Sequence, residues 1–428
     1  MNVLIVTLGS RGDVQPCIAL GKKLKIAGHQ VTVCTSTLFE SIITAQGLDY
    51  GYMNNELMRL MDSDAGRDAM ENTNGPWGVI RTNLKLLTRV KSIYRKTIND
   101  IWQTTQTVNP DMLIVASKVA FIAESIADKQ DIPLAMALAF PQIVPTAQSQ
   151  AIGFPDWPLG PWYNRFTYWI VHTAIGLYGG IPKEFRRKVL HLPPKPKGIN
   201  LWHRADGSPI PVLHGYSQHV VPRPTDWPES AHVTGYWFLD RPNDWQPPDD
   251  LKAFLDSGNP PIYIGFGSIS GRYPQRLANI IIEALRITNQ RGILATGWGG
   301  LQSNTLPKTI FQLDQAPHDW LFPKVSAVIH HGGAGTTAAG LRAGRPTLIC
   351  PFFGDQPFWG KQIYTLGVGP KPIPQKQLTT SRLAKAINEL VSNQTMRCNA
   401  EALGEKIRAE DGVGNAIALL EPLALPQV

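Results

Sequence analysis

Short, unbroken apolar runs recur along the chain, each followed by a glycine-rich or polar turn and then a stretch with helical spacing. Val3–Leu8 is the first such run, continuous rather than alternating, as expected of a parallel strand buried on both faces. The turn Gly9-Ser10-Arg11-Gly12-Asp13 follows, then a helix to about Ala27 with Gly28 as its stop, then a strand at Gln30–Ser36. This is a βαβ unit, whose crossover is expected to be right-handed. Met112–Ala116, a helix to Lys129 and Pro133–Leu138 repeat it, and the region from about 54 to 105 reads as mostly helical.

The second half repeats the grammar. Strands are predicted at Pro261–Phe266, Gly292–Thr296, Ile310–Leu313, Ala327–His330 and Pro346–Cys350, with a helix at Gln275–Asn289 and others between. Two sets of βα units imply two doubly wound α/β domains of Rossmann type. The predicted division is an N-terminal domain 1–215, a Pro/Trp-rich linker 216–246, a C-terminal domain 247–405 and a closing segment 406–428. Open parallel sheets bind ligands at the C-terminal ends of their strands, so a central cleft is expected if the two sets of ends face each other.

Composition narrows the picture. At 428 residues and 43% apolar, each half can bury a core, and 17% charged residues exclude a disordered or coiled-coil chain. The formal charge of +8, from 41 basic and 33 acidic residues, suits an anionic ligand or an anionic membrane surface. No Lys/Arg block argues for nucleic acid. Cys17, Cys34, Cys350 and Cys398 are far apart without a C-x-x-C pair, which fits a reducing compartment. The first apolar run reads as a strand rather than a signal peptide, and no run is long enough for a membrane span. A cytoplasmic protein is expected.

Chemistry concentrates in the loops after strands. Ala327–His330 ends in His330-His331, and the turn Gly332-Gly333-Ala334-Gly335 leads into a helix holding Thr336 and Thr337. Glycines admit a ligand close to the backbone, and the helix start offers unpaired N–H groups and partial positive charge to an anion. The spacing is not that of a P-loop, and no lysine follows. A locally satisfied strand–helix turn is the plain alternative. After Pro346–Cys350, Asp355 and Gln356 are suited to sugar hydroxyls, with Trp359 or Phe353 against the apolar face of the ring; Asp355 as a helix cap is the plain alternative. In the first loop, Ser10, Arg11, Gly12 and Asp13 occupy the equivalent place, with Ser10, Arg11 and Gly12 expected to contact the nucleotide sugar and Asp13 either a helix cap or a general base. Gly267 and Ser268 have the same strand–loop–helix setting and would add donors to a diphosphate.

Together, DQAPHDWLFP from Asp314, HHGGAGTT from His330 and PFFGDQPFWG from Pro351 resemble the nucleotide-sugar box of the UDP-glycosyltransferase superfamily. With the opening GSRGDVQP, the chain looks most like the sterol 3-beta-glucosyltransferase branch and its bacterial antibiotic-aglycone relatives. The resemblance spans nearly the whole chain. It implies a GT-B fold with a last helix, near Gly414–Glu421, crossing back to the N-terminal domain. It also implies a UDP-sugar donor, often UDP-glucose, inverting displacement, no cofactor and no required metal. His331 matches the phosphate-binding histidine, and Gly333, Gly335 and Thr336 the turn around the diphosphate. Asp355 and Gln356 match the pair holding the donor sugar, and Asp13 the proposed base. Where plant enzymes stack a tryptophan on uracil, this chain reads Gln315-Ala316-Pro317-His318, so backbone groups near Pro317 and His318 would hold the base with Trp298 as the stacking ring.

The acceptor side is expected in the aromatic stretch Phe154–Trp169, where Phe154, Trp157, Trp162 and Trp169 would form an apolar lip or lie among lipid headgroups, with Arg186-Arg187-Lys188 touching anionic lipid. The stretch reads as a poor core helix. The expected partners are a nucleotide sugar, a lipophilic alcohol such as a sterol, and peripherally a membrane. An aglycone transferase using UDP- or TDP-sugar, a sugar epimerase or phosphorylase on the same fold, and a non-catalytic helper are the competing readings. Asp62-Ser63-Asp64 spells D-x-D but follows a Met-rich helical stretch, and chance explains it best.

Overall fold

Val3, Leu4, Ile5 and Val6 have no exposed surface, which a strand achieves only with neighbours on both edges and layers on both faces. The computed structural model describes residues 1–63, 76–116, 119–176, 180–196, 202–266, 274–295 and 306–424. It divides into unit 1, Met1–Leu239 with Asp411–Val428, and unit 2, Asp240–Glu410.

Unit 1 runs β1 (Asn2–Val6), α1 (Arg11–Ile26), β2 (Gln30–Ser36), α2 (Glu40–Ala45), β3 (Asp49–Met53), α3 (Glu56–Asp62), α4 (Pro76–Val108), β4 (Met112–Ala116), α5 (Ala120–Gln130), β5 (Leu134–Leu138), α6 (Gly160–Gly176), α7 (Gly180–Lys188), β6 (Val212–His214) and β7 (Ala231–Val233). The strands form one parallel sheet in the order β3-β2-β1-β4-β5-β6-β7. Alternate residues feed two cores. Leu4, Val6, Leu113 and Val115 face one, with residues of α4, α5 and α7; Val3, Ile5, Met112 and Ile114 face the other, with residues of α1. Gly28, at φ +92°, ends the turn after α1 in a conformation that favours glycine.

Unit 2 runs α8 (Asp249–Asp256), β8 (Ile262–Gly265), α9 (Pro274–Ile287), β9 (Gly292–Ala295), β10 (Ile310–Leu313), α10 (His318–Leu321), β11 (Ala327–His330), α11 (Ala334–Arg342), β12 (Thr347–Ile349), α12 (Gln356–Thr365), α13 (Thr380–Ser392) and α14 (Gln394–Arg408). Its sheet is parallel, in the order β10-β9-β8-β11-β12.

The last helix, α15 (Gly412–Leu420), belongs to unit 1: Val413, Ala416, Ile417 and Leu420 enter the same core as α1. Trp237 Nε1 donates to the Gly412 carbonyl at 3.1 Å, and an added Cβ at Gly412 would lie 2.4 Å from the Gly235 backbone, so only glycine fits. The stretch 216–246, expected to be a linker, is instead largely unit 1. Tyr216, Val220, Trp227, Tyr236 and Trp237 are buried there, and β7 pairs with β6. Trp227 and Trp237 thus anchor the stretch in unit 1 rather than leaving it a tether. The closing segment starts at Asp411, because α14 continues in unit 2 beyond the expected break at 405.

Candidate nucleotide-sugar and acceptor sites

In unit 2 the sheet order reverses direction at β8, with β9 on one side and β11 on the other. That switch point, at the C-terminal strand ends, is where a doubly wound sheet opens a crevice. Gly265 pairs in register with His330, and His330 with Ile349, so the loops after β8, β11 and β12 leave the same edge.

His330 is the buried last residue of β11. Its Nδ1 accepts the Gly332 N–H at 3.0 Å, which places the ring proton on Nε2, a buried atom without a hydrogen-bond partner. Burial holds its pKa well below the usual histidine range, and the neighbouring His331 and His318 add to the effect. His331 is lowered to about 4, chiefly by burial and against a backbone interaction with Gly265 that raises it. Both rings are neutral at pH 7, so each meets an anion as an N–H donor rather than as a cation.

Gly332 adopts φ +99°, and a Cβ there would lie 2.7 Å from Ile349 Cγ2. This glycine is required by the fold. Gly333 is the N-cap of α11, and Gly335, in its first turn, is exposed, with nothing within 4 Å of an added Cβ. This second glycine is not required by anything in the protein. The first turn of α11 carries no acidic side chain to compensate its N–H groups. Thr336 is partly exposed beside Ala334, whereas Thr337 is buried and its hydroxyl donates to the Gly333 carbonyl at 3.0 Å.

On the adjacent loop, Gln356 is only 4% exposed, and its Oε1 accepts the N–H groups of Phe352 (2.7 Å) and Phe353 (3.2 Å). Asp355 is the N-cap residue of α12, yet its side chain makes no capping bond. Its Oδ2 accepts from Trp359 Nε1 at 2.8 Å. Trp359 is completely buried, so the expectation that it lies against a sugar ring is corrected: it is a support for Asp355. Phe353 remains partly exposed.

Farther along the edge, Gln315 is exposed, Pro317 is the N-cap of α10, and the partly exposed His318 stacks on Phe322 at 4.3 Å between centroids. Gly267, Ser268, Trp298 and Asp64 lie outside the described residues.

In unit 1, Asp13 is in the first turn of α1, following the loop that leaves the C-terminal end of β1. Its Oδ2 accepts the Ser10 N–H at 2.8 Å and the Ser10 hydroxyl at 3.1 Å. The carboxylate thus helps to cap α1, and the same bonds fix its direction. Arg11 and Gly12 are exposed beside it.

The aromatic stretch, expected to be a poor core helix, is helical from Gly160, and Tyr163, Thr167 and Tyr168 pack inward. Trp162 and Trp169 line an open cleft on the outer face, Trp157 is exposed ahead of the helix, and Phe154 is half-buried. Arg186 is not available to lipid. It is buried and ion-paired with Asp128 at 2.7 Å, while Arg187 and Lys188 are exposed. Sequence reasoning gave no role to His330 and misplaced Trp359. The only signal for either was its position, one at the end of a buried strand and one four residues after an acid.

The N-terminal domain model of glycosyltransferase family 28 matches residues 3–148, and the C-terminal domain model of erythromycin biosynthesis protein CIII-like proteins matches residues 298–417. Among solved structures, the glycosyltransferase of kitacinnamycin superposes with a TM-score of 0.72 at 18% identity, each chain covered to 99%. The spinosyn rhamnosyltransferase SpnG, solved with its aglycone, gives 0.65 at 17%, covering 98% of this chain and all of that one.

The fold is therefore that of a GT-B glycosyltransferase. Within that class the chain belongs to the family of the sterol 3-beta-glucosyltransferases. It is 36% identical to UGT80A2 of Arabidopsis thaliana over 97% of its own length and 64% of that protein's, and 35% identical to UGT80B1 of the same plant over 97% and 67%. The enzyme of Aspergillus terreus is 36% identical over 97% of this chain but 29% of its own length. The chain thus spans about two thirds, or less, of these relatives. Among the described residues no helix is long and apolar enough to cross a membrane.

Proposed function

We propose that the chain moves a hexose, glucose first, from a UDP-sugar to the hydroxyl of a lipophilic alcohol of the sterol class, with inversion. The observation that carries this is the turn from His330 to Gly335: a neutral histidine and an uncompensated helix start share one sheet edge with the Asp355–Gln356 pair. An anionic diphosphate suits the first group and sugar hydroxyls suit the second. The sterol-transferring names of the relatives support the acceptor class.

The acceptor oxygen attacks the anomeric carbon as the bond from that carbon to the β-phosphate oxygen breaks. The hydroxyl proton passes to the Asp13 carboxylate, and the UDP leaves with the bond's electron pair. The charge growing on the phosphate is met by the N–H groups at the start of α11 and by His331, donors already in place before the reaction. No metal or cofactor is needed for that neutralisation.

Purified chain with UDP-glucose and a sterol should yield a glycoside whose anomeric configuration, read by NMR, is opposite to the donor's. A product that retains the configuration would refute the mechanism. Transfer from TDP-sugars to polyketide aglycones alone would favour the second reading, to which the match to the CIII-like C-terminal domain points. No turnover with any donor would leave the helper reading.

A further inference from the structure

The aromatic residues of α6 have two opposite environments. Tyr163 and Tyr168 are buried against unit 1, whereas Trp162, Phe166 and Trp169 are 71%, 38% and 60% exposed. Their spacing of four and three residues lines them along one helical stripe. The rings are already stacked, Trp162 on Phe166 at 5.2 Å and 6°, and Phe166 on Trp169 at 5.6 Å and 14°. Pro161 and Arg165 complete the same open cleft, and Trp157 and Leu159 are exposed just ahead of it. A helix that only packed on its own unit would carry polar residues here, and an apolar patch of this kind marks an interaction surface.

We propose that this aromatic ladder is a docking face for a bilayer surface carrying anionic headgroups. Three observations select that occupant. Tryptophan, with an apolar body and one polar N–H, is the side chain best matched to the headgroup boundary, and two of the three ladder rings are tryptophan. Arg165, the only Lys, Arg, Asp or Glu of α6, keeps 65% of its side chain exposed beside the ladder while pairing with Asp226 at 3.5 Å. Of the seven Lys/Arg from residue 151 to 200, Arg165, Arg186, Lys188 and Lys195 are ion-paired, whereas Lys183 and Arg187 on α7 are exposed and face solvent as cations. A helix lying flat, with rings below and cations at the phosphate level, is the arrangement of an interfacial segment. The purpose of such docking rests on the lipophilic-acceptor reading, since such an alcohol resides in bilayers. The binding itself does not.

Co-sedimentation with vesicles that contain no sterol and no nucleotide sugar tests the surface separately from the reaction. The full chain should bind phosphatidylcholine vesicles with 30% phosphatidylserine (about the level that gives a strongly negative surface). It should bind pure phosphatidylcholine several-fold less. The triple variant Trp162→Ser, Phe166→Ser, Trp169→Ser should lose at least roughly tenfold in partitioning, in keeping with the apolar area removed. Trp162→Ser alone, at the most exposed ring, should lose part of that with an unchanged melting temperature, which guards against misfolding of the triple variant. The proposal is overturned if the full chain binds neither vesicle, if the folded variants bind as well as wild type, or if phosphatidylserine makes no difference. It is also overturned if the ladder instead holds two copies together, seen as a dimer in sedimentation that Trp162→Ser dissociates.

Discussion

The indole Nε1–H of Trp359 donates to Asp355 Oδ2 at 2.8 Å, one helical turn apart, and the indole is entirely buried while the carboxylate is only partly so. A carboxylate at the start of a helix ordinarily turns back to cap it. Here the indole holds it in another direction, beside Gln356, whose own oxygen is occupied by two N–H groups of the preceding loop. The pair that would meet the donor sugar is thus aimed by bonds made within the protein.

Trp359→Phe keeps the ring and removes the donor. A hydrogen bond to a charged group contributes about 1.5–3 kcal/mol. We expect a rise in donor KM of roughly tenfold or more as Asp355 loses its direction, with acceptor KM little changed. Equal effects on both substrates, with a lowered melting temperature, would show that Trp359 acts through packing alone.

The glycines of the turn separate fold from ligand. Gly335→Ala adds a methyl that meets nothing within 4 Å and replaces glycine in a helix, so the melting temperature should hold or rise slightly, by the equivalent of about 0.5–1 kcal/mol. Donor affinity should nevertheless fall, by roughly tenfold for each 1.4 kcal/mol of lost contact, because the methyl occupies the place of the diphosphate. Gly332→Ala should instead destabilise the protein, through its φ of +99° and the 2.7 Å approach to Ile349. Undiminished UDP affinity in Gly335→Ala, by calorimetry, would move the phosphate site elsewhere.

Much of this was legible in the chain itself, for identifiable reasons. Runs such as Val3–Val6 and Ala327–His330 declare buried parallel strands because both faces are covered, and the glycine turns that follow them declare the site. β3, β6 and β7 did not declare themselves. Asp49–Met53 is interrupted by Gly51, and Val212–His214 and Ala231–Val233 are three residues each, too short to carry a period. Of the residues that mimic a linker in 216–239, Trp227, Trp237 and Pro224 are buried while Pro222 and Pro228 are exposed, and composition cannot tell such a packed loop from a tether. Nor can it tell that Trp359 points inward while Trp162 points outward. That depends on which face of each helix meets a sheet.

Removal of divalent metal should leave transfer intact. The diphosphate charge is assigned to the first turn of α11 and to His331, so EDTA should change kcat by less than about twofold, far below the contribution of an electrostatic clamp. Activity that disappears with EDTA and returns with magnesium or manganese would refute that assignment and redirect attention to Asp62-Ser63-Asp64.

Buried neutral histidines should make the fold sensitive to acid. Burial lowers His214 to about 3, against a hydrogen bond from its Nδ1 to the His232 carbonyl that raises it, and His331 to about 4. An unfolded histidine titrates near 6.5, so the unfolded chain binds more protons than the folded one between about pH 6.5 and these lower values. Stability is therefore full above about pH 6.5 and is lost as pH falls, by up to about 1.4 kcal/mol per pH unit for each such group. His214→Phe, which preserves a ring against Trp227, should be less stable at pH 7.5 yet lose less on going to pH 4.5. Parallel melting curves for the two proteins would show that His214 does not contribute.

Asp13 offers the sharpest test of the reaction, because its two roles respond differently to one substitution. As a cap, it accepts the N–H and the hydroxyl of Ser10 through one oxygen. As a base, it must take a proton from the acceptor. Asparagine retains a carbonyl oxygen that accepts the Ser10 N–H, so Asp13→Asn should cost the start of α1 no more than about 1 kcal/mol. It cannot take the proton, and transfer should fall by about 10²–10⁴-fold. UDP-sugar affinity should stay within roughly twofold of wild type, since His331, the start of α11, Asp355 and Gln356 are left unchanged in unit 2 (0.4 kcal/mol is about a factor of two). Binding by calorimetry, melting temperature and single-turnover rate together separate the cases. A folded Asp13→Asn protein that binds donor and keeps more than a third of the wild-type rate would reduce Asp13 to a helix cap, and the base would have to be sought elsewhere.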